Sequence, residues 1–290
     1  MSTDWPDFND LWDYNQPDET ERVFHQILAE GAEDDPDYYL QLKTQIGRTL
    51  SLRGLFAEAH TILDEVEVEM AGDDIVEVRY LLERGRTLNS SKKPKEAFPL
   101  FMRSFEIAER IGREQGGEAD YYAVDALHML SIASDTNEAQ MDWNLKAIAY
   151  AEASQQEKAK KWFASLYNNT AWGFFNEKRY EEALDLFQKA QTLREKEGNA
   201  HTLGIARWCV AKTLRVMGRV EEGLAIQRSM EAEGKQDGFT MEEIGECLLA
   251  LGNEEAAQPY FKQAYERLSE IDWVAEDTSR MERLKLLAGL

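Results

Sequence analysis

The chain has 290 residues, 43% of them apolar, and carries 55 acidic against 33 basic residues, for a formal net charge of −22. This acidity argues against binding to nucleic acid or to an anionic membrane surface, because phosphates would be repelled at long range. No apolar run is long enough to span a membrane, and the start MSTDWPDFND lacks the features of a signal peptide, so we expect a cytoplasmic protein.

The first predicted element is an acidic and aromatic segment, residues 1–17. We expect it to dock on the first helices, because so many exposed apolar side chains would be a liability. A disordered strip and a linear motif for a partner are the alternatives. Residues 18–290 are predicted to form a single domain that begins with a short helix from Asp18 to Ala29. The apolar residues of the segment are Trp5, Phe8, Leu11, Trp12 and Tyr14.

A pattern of small and bulky residues then recurs six times. The small residue precedes the bulky one by four positions, in the pairs Ala59/Leu63, Ala97/Phe101, Ala139/Trp143, Ala183/Phe187, Gly223/Gln227 and Ala257/Phe261, and only Gln227 is not apolar. Twelve residues before each small residue stands a reference residue, small or apolar: Gly47, Gly85, Leu127, Ala171, Ala211 and Gly245. Small residues let two helices approach closely, and bulky ones fill the gap where the next pair stacks.

Each unit is therefore predicted to be an A helix followed by a B helix. The A helices are expected at 37–53, 73–90, 118–134, 157–176, 200–217 and 240–251. The B helices are expected at 55–70, 94–112, 136–153, 180–197, 220–233 and 253–270. A last helix near 277–288 would cap the array.

Two stretches show the repeat most clearly, LYNNTAWGFFNEKRYEEALDLFQKA and IGECLLALGNEEAAQPYFKQA. Successive small residues lie 38, 42, 44, 40 and 34 residues apart, which suits a period of about 34 residues with longer helices in some units. Over residues 37–271 the chain resembles the tetratricopeptide-repeat superfamily, and RYLLERGRTLNSS is similar to a group of bacterial proteins of this type. The resemblance implies an all-α, right-handed α-solenoid of about six helix pairs, with an N-terminal extension and a C-terminal capping helix.

The resemblance also implies a concave groove, lined by the A helices, that seats a peptide. In the first five units every charged residue at the lining positions is basic, namely Arg48, Arg79, Arg86, Lys212 and Arg215. We expect these side chains to bind an acidic peptide or a partner's C-terminal carboxylate, with His128 also in the groove. Asn168 would hold the peptide backbone and Trp172 would anchor a side chain. Alternatively, the basic residues pair with acidic neighbours and Trp172 packs between repeats.

No catalytic or metal-binding motif accompanies this pattern, so we expect no enzyme, no metal and no cofactor. The histidines are scattered, and Cys209 and Cys247 have neither metal nor redox spacing. The favoured function is a non-enzymatic scaffold that binds another protein or peptide, and nucleic acid and membranes are not expected partners. The alternative is a regulatory sensor whose superhelix closes on a small peptide or metabolite. An enzyme that uses the groove, or a nucleic-acid mimic that binds a basic protein, are the more distant hypotheses.

Overall fold

The computed structural model describes residues 5–72, 74–117 and 119–290. These residues form α-helices, mostly packed in consecutive pairs, in the tetratricopeptide-like solenoid fold expected from the sequence. The chain divides into two compact units, Met1–Leu166 and Tyr167–Leu290. The single domain over 18–290 and its right-handed superhelix stay predictions. In the described residues no helix is long and apolar enough to cross a bilayer.

The first unit contains three consecutive helix pairs, α2 with α3, α4 with α5 and α6 with α7. Short 3-10 helices at Phe8–Leu11 and Ala32–Asp34 flank the first helix. The predicted helix starts at 73 and 118 lie outside the described residues. The helices are α1 Pro17–Ala29, α2 Pro36–Leu52, α3 Phe56–Glu69, α4 Ile75–Ser90, α5 Pro94–Glu114, α6 Asp120–Ile132, α7 Asn137–Ala153 and α8 Glu157–Lys160.

The boundary between the units falls within α9, Phe163–Asn176. In the second unit α11 pairs with α12 and α13 with α14, while α16 packs on α14 as the predicted capping helix. Leu284 of α16 is fully buried in the same apolar cluster as Phe261 of α14. The remaining helices are α10 Tyr180–Glu197, α11 Ala200–Val216, α12 Val220–Ala232, α13 Gly238–Ala250, α14 Glu254–Leu268, α15 Asp272–Ala275 and α16 Thr278–Leu287.

The small and bulky residues hold the helix pairs together as predicted in four units. Their side chains are at most 1% exposed in the pairs Ala59/Leu63, Ala97/Phe101, Ala183/Phe187 and Ala257/Phe261. A Cβ atom on Gly47 would lie 3.1 Å from Leu63 Cγ, and one on Gly245 would lie 2.9 Å from Phe261 Cε1. The bulky B-helix side chain therefore rests directly on the A-helix backbone, and the reference glycine makes that approach possible.

The third pair, Ala139/Trp143, was predicted in the wrong phase. Both residues are only half-buried, and Asn144 and Ala147 face the core instead. The carbonyl of Gln140 accepts a hydrogen bond of 2.8 Å from Ser131 Oγ of α6. Gln140 thus takes the closest-approach position expected for Ala139, and the buried face of α7 is shifted by one residue.

The predicted A helix over 157–176 was also wrong as a continuous element. It is broken at residues 161–162 into α8 and α9. The ring of Trp162 turns toward α6, with its centroid 5.1 Å from that of His128 and 5.8 Å from that of Tyr121. This aromatic packing favours the break, because it holds the indole against α6 at the turn between the two helices.

The acidic and aromatic segment docks on the first helices, as expected, over its described residues 5–17; residues 1–4 lie outside the described ranges. Phe8 is 5% exposed and packs in the cluster that contains Phe24. Trp12 Nε1 donates a hydrogen bond of 3.1 Å to Gln45 Oε1, and Tyr38 OH donates one of 2.8 Å to the carbonyl of Pro6. Polar contacts as well as apolar ones therefore hold the segment.

Candidate functional site

The eight predicted groove residues are divided equally between the two units. Arg48, Arg79, Arg86 and His128 lie in the first unit, on α2, α4 and α6. Asn168, Trp172, Lys212 and Arg215 lie in the second unit, on α9 and α11.

Two predicted arginines of the first unit converge on Glu83, a carboxylate that is only 4% exposed. Arg48 Nη1 lies 3.2 Å from Glu83 Oε2, and Arg86 Nη1 lies 2.7 Å from Glu83 Oε1. The other terminal nitrogen of Arg86 pairs with Asp125 of α6. We call Arg48, Glu83, Arg86 and Asp125 the ion-pair cluster. It matches the alternative in which these arginines pair within the chain, and their role in ligand binding stays a prediction.

The pKa of Glu83 is set by burial on one side and by its arginines on the other. Burial disfavours the charged carboxylate and would raise this pKa. The positive charges of Arg86, Arg48 and Arg79 outweigh burial and lower the pKa of Glu83 below its ordinary value. The carboxylate is therefore ionised at neutral pH, and it compensates the buried arginines.

The other two predicted residues of the first unit are also covered. Arg79 is 3% exposed, lies 4.4 Å from the ring centroid of Phe8 and donates a 2.5 Å hydrogen bond to Tyr122 OH. His128 is 9% exposed, and burial lowers its pKa to about 4, although the negative charge of Asp125 acts in the opposite direction. At neutral pH His128 is thus an uncharged side chain packed on Trp162.

His128 should make the first unit sensitive to mild acid. Because its pKa falls from 6.5 unfolded to about 4 folded, its neutral form stabilises the fold above pH 6.5. About 3 kcal/mol of that stability should be lost as the pH falls from 6.5 to 4. Urea unfolding of wild type and His128→Gln across this range measures the effect. Parallel pH profiles of the two chains would contradict the prediction.

One arrangement recurs in both units: an acidic residue two positions before a reference residue pairs with an arginine of the preceding repeat. Glu83 pairs with Arg48, Asp125 with Arg86, and Glu243 with Arg215. These acids were not predicted, because they lie outside the lining positions of the A helices. The recurrence of an acid at this position, one repeat after a lining arginine, could have indicated the pairs.

The second unit contains a cavity of about 960 Å³ between α11, α13, α15 and α16. Its walls include the rings of Trp208, Phe239 and Trp273. The centroids of Trp208 and Phe239 are 6.2 Å apart, and Phe239 stacks on Trp273 at 5.9 Å. Trp273 is 65% exposed, so this wall is open to solvent at one end. We call this space the aromatic cavity.

Most charges around the aromatic cavity are paired with one another. Arg215 Nε lies 2.5 Å from Glu243 Oε1, and two further pairs join the capping helix to α13, Arg280 with Glu242 and Arg283 with Glu246. Burial raises the pKa of Glu243 despite the opposing effect of Arg215. Arg215 and, at longer range, the charge of Lys212 lower the pKa of Glu243, but burial outweighs them. At Glu83 the charges of three arginines outweigh burial.

Lys212 differs from these arginines. Its ammonium lies 4.8 Å from the centroid of the Trp208 ring, and it forms no ion pair with any described residue. The side chain is half-buried and lines the aromatic cavity. It therefore presents a positive charge, next to an aromatic wall, that a ligand carboxylate could neutralise.

Asn168 and Trp172 stand outside the lining of the aromatic cavity. Trp172 packs on Phe187 at 5.2 Å and on Trp208 at 6.2 Å between ring centroids, as the packing alternative predicted. Asn168 Oδ1 accepts a long contact of 3.7 Å from Cys209 Sγ. Burial raises the pKa of the Cys209 and Cys247 thiols to about 12, so neither is a reactive thiolate at neutral pH.

The lining of the aromatic cavity includes residues that were not predicted as site residues, among them Trp273, Arg280 and Arg283. Trp273 lies on α15, which was not predicted, and the two arginines lie on α16, which was interpreted only as a cap. Little in the sequence indicated that these residues line a cavity, because the repeat pattern does not extend to this part of the chain. Within the described ranges, no group of three or more histidine, cysteine or acidic side chains is placed to hold a metal ion.

Comparison with known proteins gives the same type of fold. A family model for a tetratricopeptide repeat matches residues 241–267. The apo form of RapI superposes with a TM-score of 0.69 at 15% identity, covering 97% of this chain and 80% of RapI. Comparison with curated protein sequences gives no match.

Two further solved structures are similar. A signal transduction ATPase with numerous domains and a tetratricopeptide repeat sensor, from Pyrococcus horikoshii, has a TM-score of 0.68 at 16% identity. The match covers 95% of this chain but only 42% of that protein. NprR in complex with its cognate peptide NprX has a TM-score of 0.54 at 15% identity, covering 97% of this chain and 82% of NprR. The chain therefore has a tetratricopeptide-like solenoid fold, and its residues 241–267 match the model of this repeat, as the resemblance of its repeats implied.

Proposed function

We propose that this chain is a non-enzymatic, cytoplasmic peptide-binding protein whose aromatic cavity holds the C-terminal residues of a partner peptide. The observation that carries the proposal is the unpaired ammonium of Lys212 beside the rings of the cavity. Of the two ligands expected from the sequence, a single C-terminal carboxylate fits this charge better than a strongly acidic peptide. The reason is that the cavity's arginines already hold carboxylates of the chain.

The aromatic walls supply the apolar part of recognition. The rings of Trp208, Phe239 and Trp273 form a continuous face of the cavity, on which an apolar or aromatic last residue of the peptide can pack. An aromatic pair contributes about 0.5 to 1.5 kcal/mol beyond the area that it buries. The volume of about 960 Å³ also accommodates several residues of an extended peptide.

The ligand-responsive alternative is favoured over a static scaffold. NprR, which has a similar fold, has been solved with a cognate peptide, and the Pyrococcus horikoshii protein is described as carrying a repeat sensor. The ion pairs Arg280–Glu242 and Arg283–Glu246, which join α16 to α13 beside the cavity, support the same interpretation. A peptide bound in the cavity would change these contacts and thereby the packing of α16 on α13. A sensor should compact on peptide binding, and small-angle X-ray scattering would measure this change in the full chain.

Lys212 provides the direct test. We expect a fluorescein-labelled hexapeptide ending in Phe with a free carboxylate to bind the wild-type chain, and the same peptide with a C-terminal amide to bind at least tenfold more weakly. Lys212→Gln should lower the affinity for the carboxylate peptide by about tenfold, equivalent to about 1.4 kcal/mol. The same variant should leave the affinity for the amide peptide nearly unchanged. Fluorescence polarisation titrations measure all four dissociation constants.

Lys262→Gln is the matched control, because Lys262 is an exposed lysine of α14 in the same unit. It makes the same change of charge away from the aromatic cavity and should bind both peptides as the wild type does. Equal affinities for the carboxylate peptide in the two variants would contradict the proposed site. A lysine that acts only through the net charge of the unit would give that result.

A further inference from the structure

The acidic and aromatic segment lies on the same residues that the sequence analysis assigned to a groove for acidic peptides. Asn9 Oδ1 accepts a hydrogen bond of 3.3 Å from Arg79, and Tyr14 packs 5.8 Å from the guanidinium of Arg48. Asp7 forms an ion pair of 2.8 Å with Lys158 of α8. The segment therefore meets the first unit as an acidic peptide would, with carboxylate, amide and aromatic groups opposite cationic side chains.

The contacts of the segment resemble those of a bound ligand more than those of an integral core element. Among the described residues, its main chain between 5 and 16 makes one hydrogen bond to helices α2 to α8, the one from Tyr38 to Pro6. Only Phe8 of this stretch is buried, and all of its other residues are half-buried or exposed. Beneath the segment lie the guanidinium groups of Arg48 and Arg79 as well as the apolar cluster that contains Phe24.

The segment leaves part of this face unsatisfied. Arg79 is 3% exposed, yet its Nε has no hydrogen-bond partner and no described carboxylate bonds to it. Beside the segment remains a cavity of about 770 Å³ whose lining includes Asn9, Tyr14 and Tyr122. A buried guanidinium gains most from a carboxylate that accepts two parallel hydrogen bonds, and the amide oxygen of Asn9 supplies only one.

We propose that this face of α2, α4, α6 and α8 is a second peptide-binding site, separate from the aromatic cavity. It takes an acidic partner peptide that contains aromatic residues, and a ligand carboxylate binds Arg79. Residues 5–16 occupy the site in the free protein as a built-in competitor. Because the segment is tethered, its effective concentration is on the order of millimolar, so a partner peptide must bind more tightly than the segment itself.

The probe for this site is a labelled synthetic peptide of residues 5–16, WPDFNDLWDYNQ, in three versions. One is unchanged, one carries Asn9→Asp to place a carboxylate at Arg79, and one carries Asn15→Asp, which adds the same charge elsewhere. The full-length host is either wild type or Asp7→Lys, which turns the ion pair with Lys158 into a repulsion and loosens the tethered segment. Fluorescence polarisation measures each dissociation constant.

We expect the Asp7→Lys chain to bind the unchanged peptide at least tenfold more tightly than the wild-type chain does. The Asn9→Asp peptide should bind that host at least fivefold more tightly than the Asn15→Asp peptide. Asp7 is partly exposed, so the Asp7→Lys variant retains the buried core.

Two results would overturn the proposal: equal binding by the Asp7→Lys and wild-type chains, or equal binding of the Asn9→Asp and Asn15→Asp peptides. Either would mean that the segment is only a structural cover. Lys212→Gln in the Asp7→Lys host should leave binding of this probe unchanged, because Lys212 belongs to the other site. The two peptide-binding proposals can thus fail independently.

Discussion

Glu83→Gln should lower the free energy of unfolding of the first unit by about 3 to 5 kcal/mol, the largest effect that we expect from a single polar substitution. Glu83 is almost completely buried between Arg48 and Arg86, and Arg79 also lies close enough to lower its pKa. A neutral amide keeps the shape of the side chain but removes the charge that compensates these guanidinium groups. Asp125 would remain to pair with Arg86 alone.

Hydrogen exchange of amides in α2 and α4, together with urea unfolding, would measure this loss in the first unit. Glu96→Gln is the control, because Glu96 is 61% exposed and forms a surface pair of 3.6 Å with Lys93. Such a pair contributes between 0 and about 1 kcal/mol. Equal losses in the two variants would show that the ion-pair cluster is not a stabilising element of the first unit.

Gln227→Leu should raise the free energy of unfolding of the second unit by about 1 to 3 kcal/mol. Gln227 holds the bulky position of its repeat, which Leu63, Phe101, Phe187 and Phe261 fill in other units. It is 0% exposed, and neither Oε1 nor Nε2 has a hydrogen-bond partner in the described residues. Leucine has a similar size and removes the cost of burying an amide without partners.

Thermal and urea unfolding of the full chain would measure the gain, with Gln188→Leu as the control. Gln188 is exposed on α10, so the same exchange there removes no buried polar group and should change stability little. A loss of stability in Gln227→Leu, with Gln188→Leu near the wild type, would show that the Gln227 amide is stabilising. Gln227→Glu should be strongly destabilising, because it buries a charge at the same place.

The repeat pattern was enough to predict most of the architecture. Side chains that alternate between small and bulky at helical spacing define both the helices and the surfaces by which they pair. This information is local, because a glycine such as Gly47 and the Leu63 that rests on it are only sixteen residues apart. Helix ends were predictable for the same reason, since capping residues such as Asp35, Asp237 and Asp277 act on amides within three positions.

Two helices deviate from the predicted repeat pattern, and both deviations involve contacts with a neighbouring helix. The break between α8 and α9 accompanies the packing of Trp162 on His128 of α6, and a continuous apolar pattern over 157–176 contains no sign of it. In α7 the buried face is shifted by one residue, and the carbonyl of Gln140 accepts a hydrogen bond from Ser131 of α6 where the two helices meet. The period of a helix predicts that it has an apolar face, but packing against the neighbouring helix decides which residues that face contains.

The same distinction applies to the candidate sites. The residue types at the lining positions follow from the local pattern, whereas their partners depend on contacts between distant residues. Basic residues recur at the predicted lining positions, and of these Lys212 and Arg215 line the aromatic cavity. Whether such a side chain faces a ligand or an acidic partner was decided by residues far along the chain: Glu83 lies 35 residues from Arg48, and Asp125 lies 39 from Arg86. A buried charge is stabilised by whichever opposite charge the fold brings within about 4 Å. The packing of the repeats determines which residue that partner is, and the spacing of residues within one helix does not predict it.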